Sequence, residues 1–406
     1  MATALLDTPR FDTAQLLSDA QKSLMFIVNR PAKVFVRGKG NYLWDTDGKR
    51  YLDFLAGWAV NCLGHSPPAV VKALREQAKE LVNASPALYN EPMIRLAKML
   101  TDNSCLDKVF FANSGAEANE GAVKLARKYG AKHLNGAFEV ITFWHGFHGR
   151  TLAMMSASGK EPWDGLFEPK VPGFIRVELN ELDAVKAALG PKTCAVMLEP
   201  VQGEAGVFPA EPKFVQGLRK LCDERGVPLI LDEIQTGYGR MGTLWGYQQL
   251  GVEPDIMTLG KGIGGGFPLS ALLAKDKFCV FEPGDQGGTY CGQPLAMAAG
   301  IAVLSELLAK NIPKKAETRG KYLRRKLKAL GQEFHFKDIR GKGLLQAVDL
   351  PEPKGPDIVN ACLAEGLLVN APRPNTLRFM PALTISNKEI DEMIAVLRGA
   401  LKKVLG

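Results

Sequence analysis

From about residue 105 onward, short runs rich in β-branched and aromatic residues alternate with helical stretches, and nothing else in the chain restricts its possible folds so strongly. The runs occupy 108–111, 139–143, 194–198, 229–231, 256–259 and 269–273. Strands spaced by helices predict an α/β fold, a mostly parallel sheet covered by helices. Upstream, 34–36 and 42–45 flank Gly38-Lys39-Gly40, and the second run leads through Asp47-Gly48 to Tyr51-Leu52, the pattern of a small antiparallel meander. Beyond about 296 a long helical stretch precedes short strands near 343–348. The expected organisation is a large domain over 65–295 and a small α+β domain made by both chain ends, 1–64 and 296–406.

Composition narrows the function classes. The net charge of +8 comes from basic residues dispersed along the chain, with no aromatic-rich basic stripe, so the charge favours small anions over nucleic acid. Seven scattered cysteines without a C-x-x-C pair suggest neither a disulfide framework nor zinc. No run approaches the roughly 18 apolar residues that cross a bilayer, and the first thirty residues lack a charged segment followed by an apolar one. A soluble, cytoplasmic protein in a reducing compartment is expected.

The chemistry sits just after the predicted strands. Asp232 ends the buried run Val227-Pro228-Leu229-Ile230-Leu231, so its carboxylate emerges where open α/β sheets bind ligands. Lys261 follows the next run, in Thr258-Leu259-Gly260-Lys261-Gly262. A lysine among glycines is ordinarily a solvated loop residue. Paired with an upstream acid at a strand end, it suggests a lysine that carries the aldehyde of pyridoxal phosphate (PLP), with Asp232 beside the pyridinium nitrogen.

Ser114-Gly115-Ala116-Glu117 opens a helix with capping-box spacing. It is either a plain cap or, with Ser114, Gly115 and Ala116 offering hydroxyl and N–H donors, a phosphate site at a positive helix end. Trp144-His145-Gly146-Phe147-His148-Gly149-Arg150-Thr151 follows another strand, placing Phe147 to stack on a ring and Arg150 to fork onto a carboxylate or form a salt bridge. His145 and His148 lack a third residue at metal-ligand spacing. Two G-x-G-x-x-G matches, at 237–242 and 260–265, lack the helix a dinucleotide site needs, the second being followed by Gly266-Phe267-Pro268.

In order along the chain, Ser114-Gly115-Ala116-Glu117-Ala118, Phe147-His148-Gly149-Arg150-Thr151, Glu199-Pro200-Val201-Gln202-Gly203-Glu204, Leu231-Asp232-Glu233-Ile234-Gln235-Thr236-Gly237, Gly260-Lys261 and Gly288-Thr289-Tyr290 resemble the class III, PLP-dependent aminotransferases of fold type I, and among these the acetylornithine aminotransferases. The resemblance implies a homodimer whose two active sites share the subunit interface. It implies that Lys261 binds the cofactor and moves a proton, Asp232 keeps the ring nitrogen protonated, Gln235 bonds the phenolic oxygen, and Phe147 covers the ring. Gly115 and Ala116 would hold the phosphate, joined by Thr289 from the partner subunit, with Gly288 beside the substrate. Arg150 would take a substrate carboxylate and Arg378 the α-carboxylate of glutamate or 2-oxoglutarate.

Glu199 matches, on this resemblance, the glutamate that pairs with Arg378. An unpaired buried guanidinium is costly, so such an acid neutralises Arg378 while an ω-amino donor is bound and yields to the α-carboxylate of glutamate. Ala56-Gly57-Trp58-Ala59-Val60-Asn61 is expected near the substrate entrance. Gly57 falls where ornithine aminotransferases carry a tyrosine against the free α-amine, and the absence of that tyrosine favours a blocked α-amine over ornithine: N2-acetylornithine fits, with succinylornithine or diaminopimelate analogues and 4-aminobutyrate behind it. Aminomutases and decarboxylases share the fold, but they need no dicarboxylate partner. Cys291 and Gln293 stand where the family more often reads Gly-Gly-Asn-Pro, and Gly64-His65-Ser66-Pro67 departs from Gly-His-x-His-Pro.

Overall fold

A computed structural model describes residues 12–406; the first eleven residues, assigned above to the small domain, lie outside the described part. All six expected runs are strands of one seven-stranded sheet. Its order is Lys108–Ala112, Ser270–Ala274, Ile256–Leu259, Leu229–Asp232, Thr193–Leu198, Glu139–Phe143 and Phe174–Val177. Every neighbouring pair is parallel except the two involving Ser270–Ala274, which runs against both its neighbours. The strands Thr193–Leu198, Leu229–Asp232, Ile256–Leu259 and Ser270–Ala274 are buried at every position, which is why they read as continuous apolar runs: helices cover both faces. Phe174–Val177 has no such signature, because it is a half-buried edge strand.

The parallel strands all end at one edge, and there the chain turns out of the core at Ala112, Phe143, Leu198, Asp232 and Leu259. Gly115–His133 crosses back over the sheet, its buried stripe of Ala118, Ala122, Leu125 and Ala126 lying on the strands. The meander is present as Phe35–Lys39, Tyr42–Asp45 and Arg50–Asp53. Its last strand takes a fourth, parallel partner from the far end of the chain, Leu367–Leu368. A second antiparallel sheet, Asp338–Lys342, Leu345–Asp349, Thr376–Phe379 and Asn370–Arg373, carries Arg378 on a fully buried strand.

Candidate active site

The deepest part of the site is built around Asp232, 3 % exposed at the end of its strand. Its Oδ2 accepts from Asn119 Nδ2 at 2.8 Å and pairs with His148 Nδ1 at 2.8 Å, while Oδ1 accepts from Ile234 N at 3.1 Å. Asn119 is held in turn by Thr258 Oγ1, which donates to its Oδ1 at 2.7 Å, and it donates to the carbonyl of His148 at 2.7 Å. Burial disfavours the charged form of His148, yet the Asp232 carboxylate outweighs it and raises the histidine above its ordinary value. The polar chain fixes Asp232 in place against His148.

Lys261 follows the neighbouring strand and adopts φ 46°, a left-handed conformation that is uncommon for a side-chain-bearing residue. Burial lowers its pKa, with Arg378 adding to the effect and Glu204, Asp232 and Glu199 opposing it. A larger neutral fraction than an ordinary lysine has is what attack on an aldehyde requires.

Ser114 caps the helix Gly115–His133 as its spacing predicts: Ser114 Oγ accepts from Glu117 N at 3.3 Å, and Glu117 Oε2 accepts from Ser114 N at 3.1 Å. Ser270 Oγ donates to the Ser114 carbonyl at 2.7 Å, pinning the turn. A Cβ on Gly115 would stand 2.8 Å from Ile234 Cδ1, and one on Gly260 would lie 3.5 Å from Gly115 Cα. Gly115 is thus small because it packs on Ile234, and this packing brings the helix N-terminus alongside the Lys261 turn.

Gln235 is 5 % exposed; its Oε1 has no partner and its Nε2 has only Met380 Sδ at 3.9 Å. A Cβ on Gly203 would meet that Oε1 at 1.5 Å. A buried amide left this idle is poised for a ligand oxygen or proton. Together with the lysine of lowered pKa, the strand-end carboxylate of Asp232 and the helix N-terminus at 114–116, it fits PLP: Lys261 would take the aldehyde, Asp232 the ring nitrogen, Gln235 the phenolic oxygen and 114–116 the phosphate.

On the substrate side one expectation fails. Glu199 does not pair with Arg378. It is 6 % exposed and its Oε1 accepts from Phe147 N at 2.9 Å. Burial pushes its pKa up to about 7, with Asp232 adding to the rise and His148 and Lys261 opposing it. Arg378 pairs instead with Glu204, Nη1 to Oε1 at 2.8 Å, and also donates to Gly203 O at 2.7 Å and Asn370 Oδ1 at 3.0 Å. The reason is the path of the chain: Glu199 is still at the sheet edge, whereas the hairpin Val201–Gln202 with Phe208–Pro209 carries Glu204 outward to the arginine's sheet. Burial raises the Glu204 pKa, but Arg378 and Lys261 outweigh that and the net shift is downward.

Phe147 stacks at a tilt on Trp163 with centroids 5.7 Å apart, and Arg150 lies over both rings, 5.9 and 5.4 Å away. Lys160 stands over the same rings at 4.7 and 5.1 Å. Trp58 faces Arg378 at 5.4 Å, so the 56–61 segment does reach the site. Ala56, Gly57, Trp58 and Ala59 all have positive φ, a left-handed turn that suits glycine at position 57. Gly288 and Thr289 are exposed and hydrogen-bond to no other site residue among the described ones.

Sequence reasoning missed Asn119, Thr258, Glu204 as the partner of Arg378, and Lys160, and treated His148 only as a possible metal ligand. Asn119 had left a sign: it interrupts an apolar helical stripe with an amide. Glu204 belonged to a quoted motif but gave no hint of which of its two acids turns toward the arginine.

Residues 27–401 match the family described as Aminotransferase class-III. The chain is 57 % identical to the acetylornithine aminotransferase of Ralstonia nicotianae, covering 94 % of this chain and 97 % of that protein. It is 44 % identical to the one from Methanocaldococcus jannaschii, over 91 % and 94 % of the two chains. Among solved structures, N-acetylornithine aminotransferase from Stenotrophomonas maltophilia superposes with a TM-score of 0.83 at 35 % identity, over 96 % of this chain and 99 % of that one. The ornithine aminotransferase of Toxoplasma gondii ME49 gives 0.93 at 31 % identity, over 98 % and 97 %.

Proposed function

The chain belongs to the class III aminotransferases, PLP-dependent enzymes, and from that premise we propose that it moves the terminal amino group of N2-acetyl-L-ornithine to 2-oxoglutarate, giving N-acetylglutamate semialdehyde and glutamate. The structural observation that carries this reading is the buried Arg378 held by an acid, Glu204, that is itself only partly enclosed: 0 % against 24 % side-chain exposure. A pocket that alternates between an ω-amine without a carboxylate at Arg378 and an α-amino acid with one needs a charge that can step aside, and this pair supplies it.

When bound, PLP supplies an aldehyde and an electron-withdrawing ring. Lys261 Nζ, its pKa lowered by burial, would hold that aldehyde and would be the group placed to carry the proton from the donor's terminal carbon. Asp232, fixed by Asn119 and paired with His148, would sit beside the ring nitrogen and keep it protonated. The N–H groups of 115–116 would hold the phosphate, Gln235 would meet the phenolic oxygen and Phe147 would cover the ring. Arg150 takes the donor's carboxylate and the distal carboxylate of glutamate.

We extend the reading to a homodimer with Gly288 and Thr289 completing the partner's site. Their exposure supports it, as does the apolar surface at Met25, Phe26, Ile27, Tyr89 and Tyr290, exposed by 61 to 88 %. The division into a 65–295 unit and a unit from both ends fits the separate sheets. A cytoplasmic role in arginine biosynthesis follows from the proposed substrate and agrees with seven free cysteines.

Single-turnover absorbance of the PLP form tests the reading with N-acetylornithine, succinylornithine, ornithine and 4-aminobutyrate as donors, each followed by 2-oxoglutarate. Fastest conversion by N-acetylornithine, reversed by 2-oxoglutarate, is the expected result. Faster reaction with ornithine or 4-aminobutyrate would overturn the choice of donor while leaving the transaminase.

A further inference from the structure

Glu204 faces two cations, not one. Its Oε1 bonds Arg378 at 2.8 Å, and its Oε2 lies 3.9 Å from Lys160 Nζ. Lys160 follows the helix Leu152–Ala157 and folds back over Phe147 and Trp163, with its side chain 24 % exposed. Arg150 shares those rings, so two cations are crowded on one aromatic wall, and Glu204 is the only carboxylate within ion-pair distance of Lys160 among the described residues. Burial lowers the Lys160 pKa and Arg150 and Arg378 lower it further, against the pull of Glu204.

An acid that leaves Arg378 must go somewhere. A glutamate carboxylate arriving at Arg378 repels Glu204, and an anion displaced into an enclosed pocket without a partner is costly enough to weaken binding of the substrate that displaced it. A cation 3.9 Å from the acid's other oxygen removes that penalty after a small side-chain rotation.

We propose that Lys160 is a positioning residue that receives Glu204 when the α-carboxylate of glutamate takes Arg378, so that the acid moves between two fixed cations as the half-reactions alternate. In the donor half-reaction Glu204 stays on Arg378 and Lys160 waits with its charge partly unmatched. In the acceptor half-reaction the pairs exchange. No proton and no covalent bond is transferred in this step. The inference rests on the transaminase reading above but not on the identity of the ω-amine.

The test measures both half-reactions separately in the PLP-loaded enzyme, in the wild type, Lys160→Gln, Glu204→Gln and the double variant. Lys160→Gln is expected to raise KM for 2-oxoglutarate and glutamate by about tenfold, the scale of one partly enclosed charge pair. The ω-amine half-reaction should lose much less. With Glu204→Gln as background there is no acid to receive, so the same lysine change should alter KM for 2-oxoglutarate by less than about twofold. A merely structural lysine would weaken both half-reactions alike and would do so in either background, and that outcome overturns the proposal. Because glutamate and 2-oxoglutarate alone report the effect, a wild type that refused N-acetylornithine would sink the choice of donor and leave this test intact.

Discussion

The two sides of the site are built on opposite rules. Around Asp232 every polar partner is buried: Asp232 is 3 % exposed, His148 2 %, Asn119 and Thr258 0 %, and the hydrogen bonds tie them into one chain that fixes each in place. Around Arg378 the guanidinium is equally deep, but its acid and the second cation are each 24 % exposed and Trp58 is 46 % exposed. The cofactor side has one arrangement, and the substrate side has an acid with two cations in reach. A ring that must stay protonated through every turnover needs the first, and a pocket that must accept unlike substrates in turn needs the second.

Changes on the cofactor side should therefore cost both half-reactions equally, and changes on the substrate side should split them. Lys261→Ala carries the largest effect: turnover should fall by at least about 10^4-fold in both directions, with PLP no longer covalently held, as absorbance and dialysis would reveal. Asp232→Asn should keep the covalent link and lose roughly 10^2- to 10^3-fold, again symmetrically; a loss confined to one donor would blur the contrast. Glu204→Gln should lose about 10- to 100-fold with the ω-amine and far less with glutamate, since the unneutralised Arg378 then opposes only the substrate that brings no carboxylate. Equal losses would place Glu204 with the rigid group.

Smaller effects probe the boundary between the two sides. Glu199, raised to about 7, is neutral below that pH and anionic above it, where it adds negative charge beside Lys261 and makes its amine more basic. A pH profile of PLP capture by the apoenzyme should bend near 7 in the wild type and lose that bend in Glu199→Gln. Gly115→Ala should cost about 1–3 kcal/mol of stability in thermal unfolding, because the new Cβ meets Ile234 at 2.8 Å, and Ile234→Val should recover part of it.

The same contrast explains what the sequence disclosed. Strands buried on both faces announce themselves as apolar runs, and the residues that end them, Asp232 and the 258–262 turn, could be placed at the sheet edge from one-dimensional pattern. Phe174–Val177, half exposed at an edge, could not. The capping box at Ser114 was legible because its partners are three residues apart. The Arg378 pair was not: Glu199 and Glu204 are both plausible acids, and only the course of the 201–209 hairpin decides between them. Lys160 was hidden for a similar reason, since its meaning lies in two rings and an acid brought to it by other parts of the chain.

The pairing of Leu367–Leu368 with Leu52–Asp53 has a consequence for how the protein is made. A ribosome delivering roughly 5–20 residues per second completes every strand of the large sheet, which ends at Ala274, while residues 367 and 368 are still unmade. The meander must wait on the order of a quarter of a minute to a minute with one strand edge open to the solvent. The Arg50–Asp53 edge of the meander is therefore open to mispairing until Leu367–Leu368, made far later, closes it.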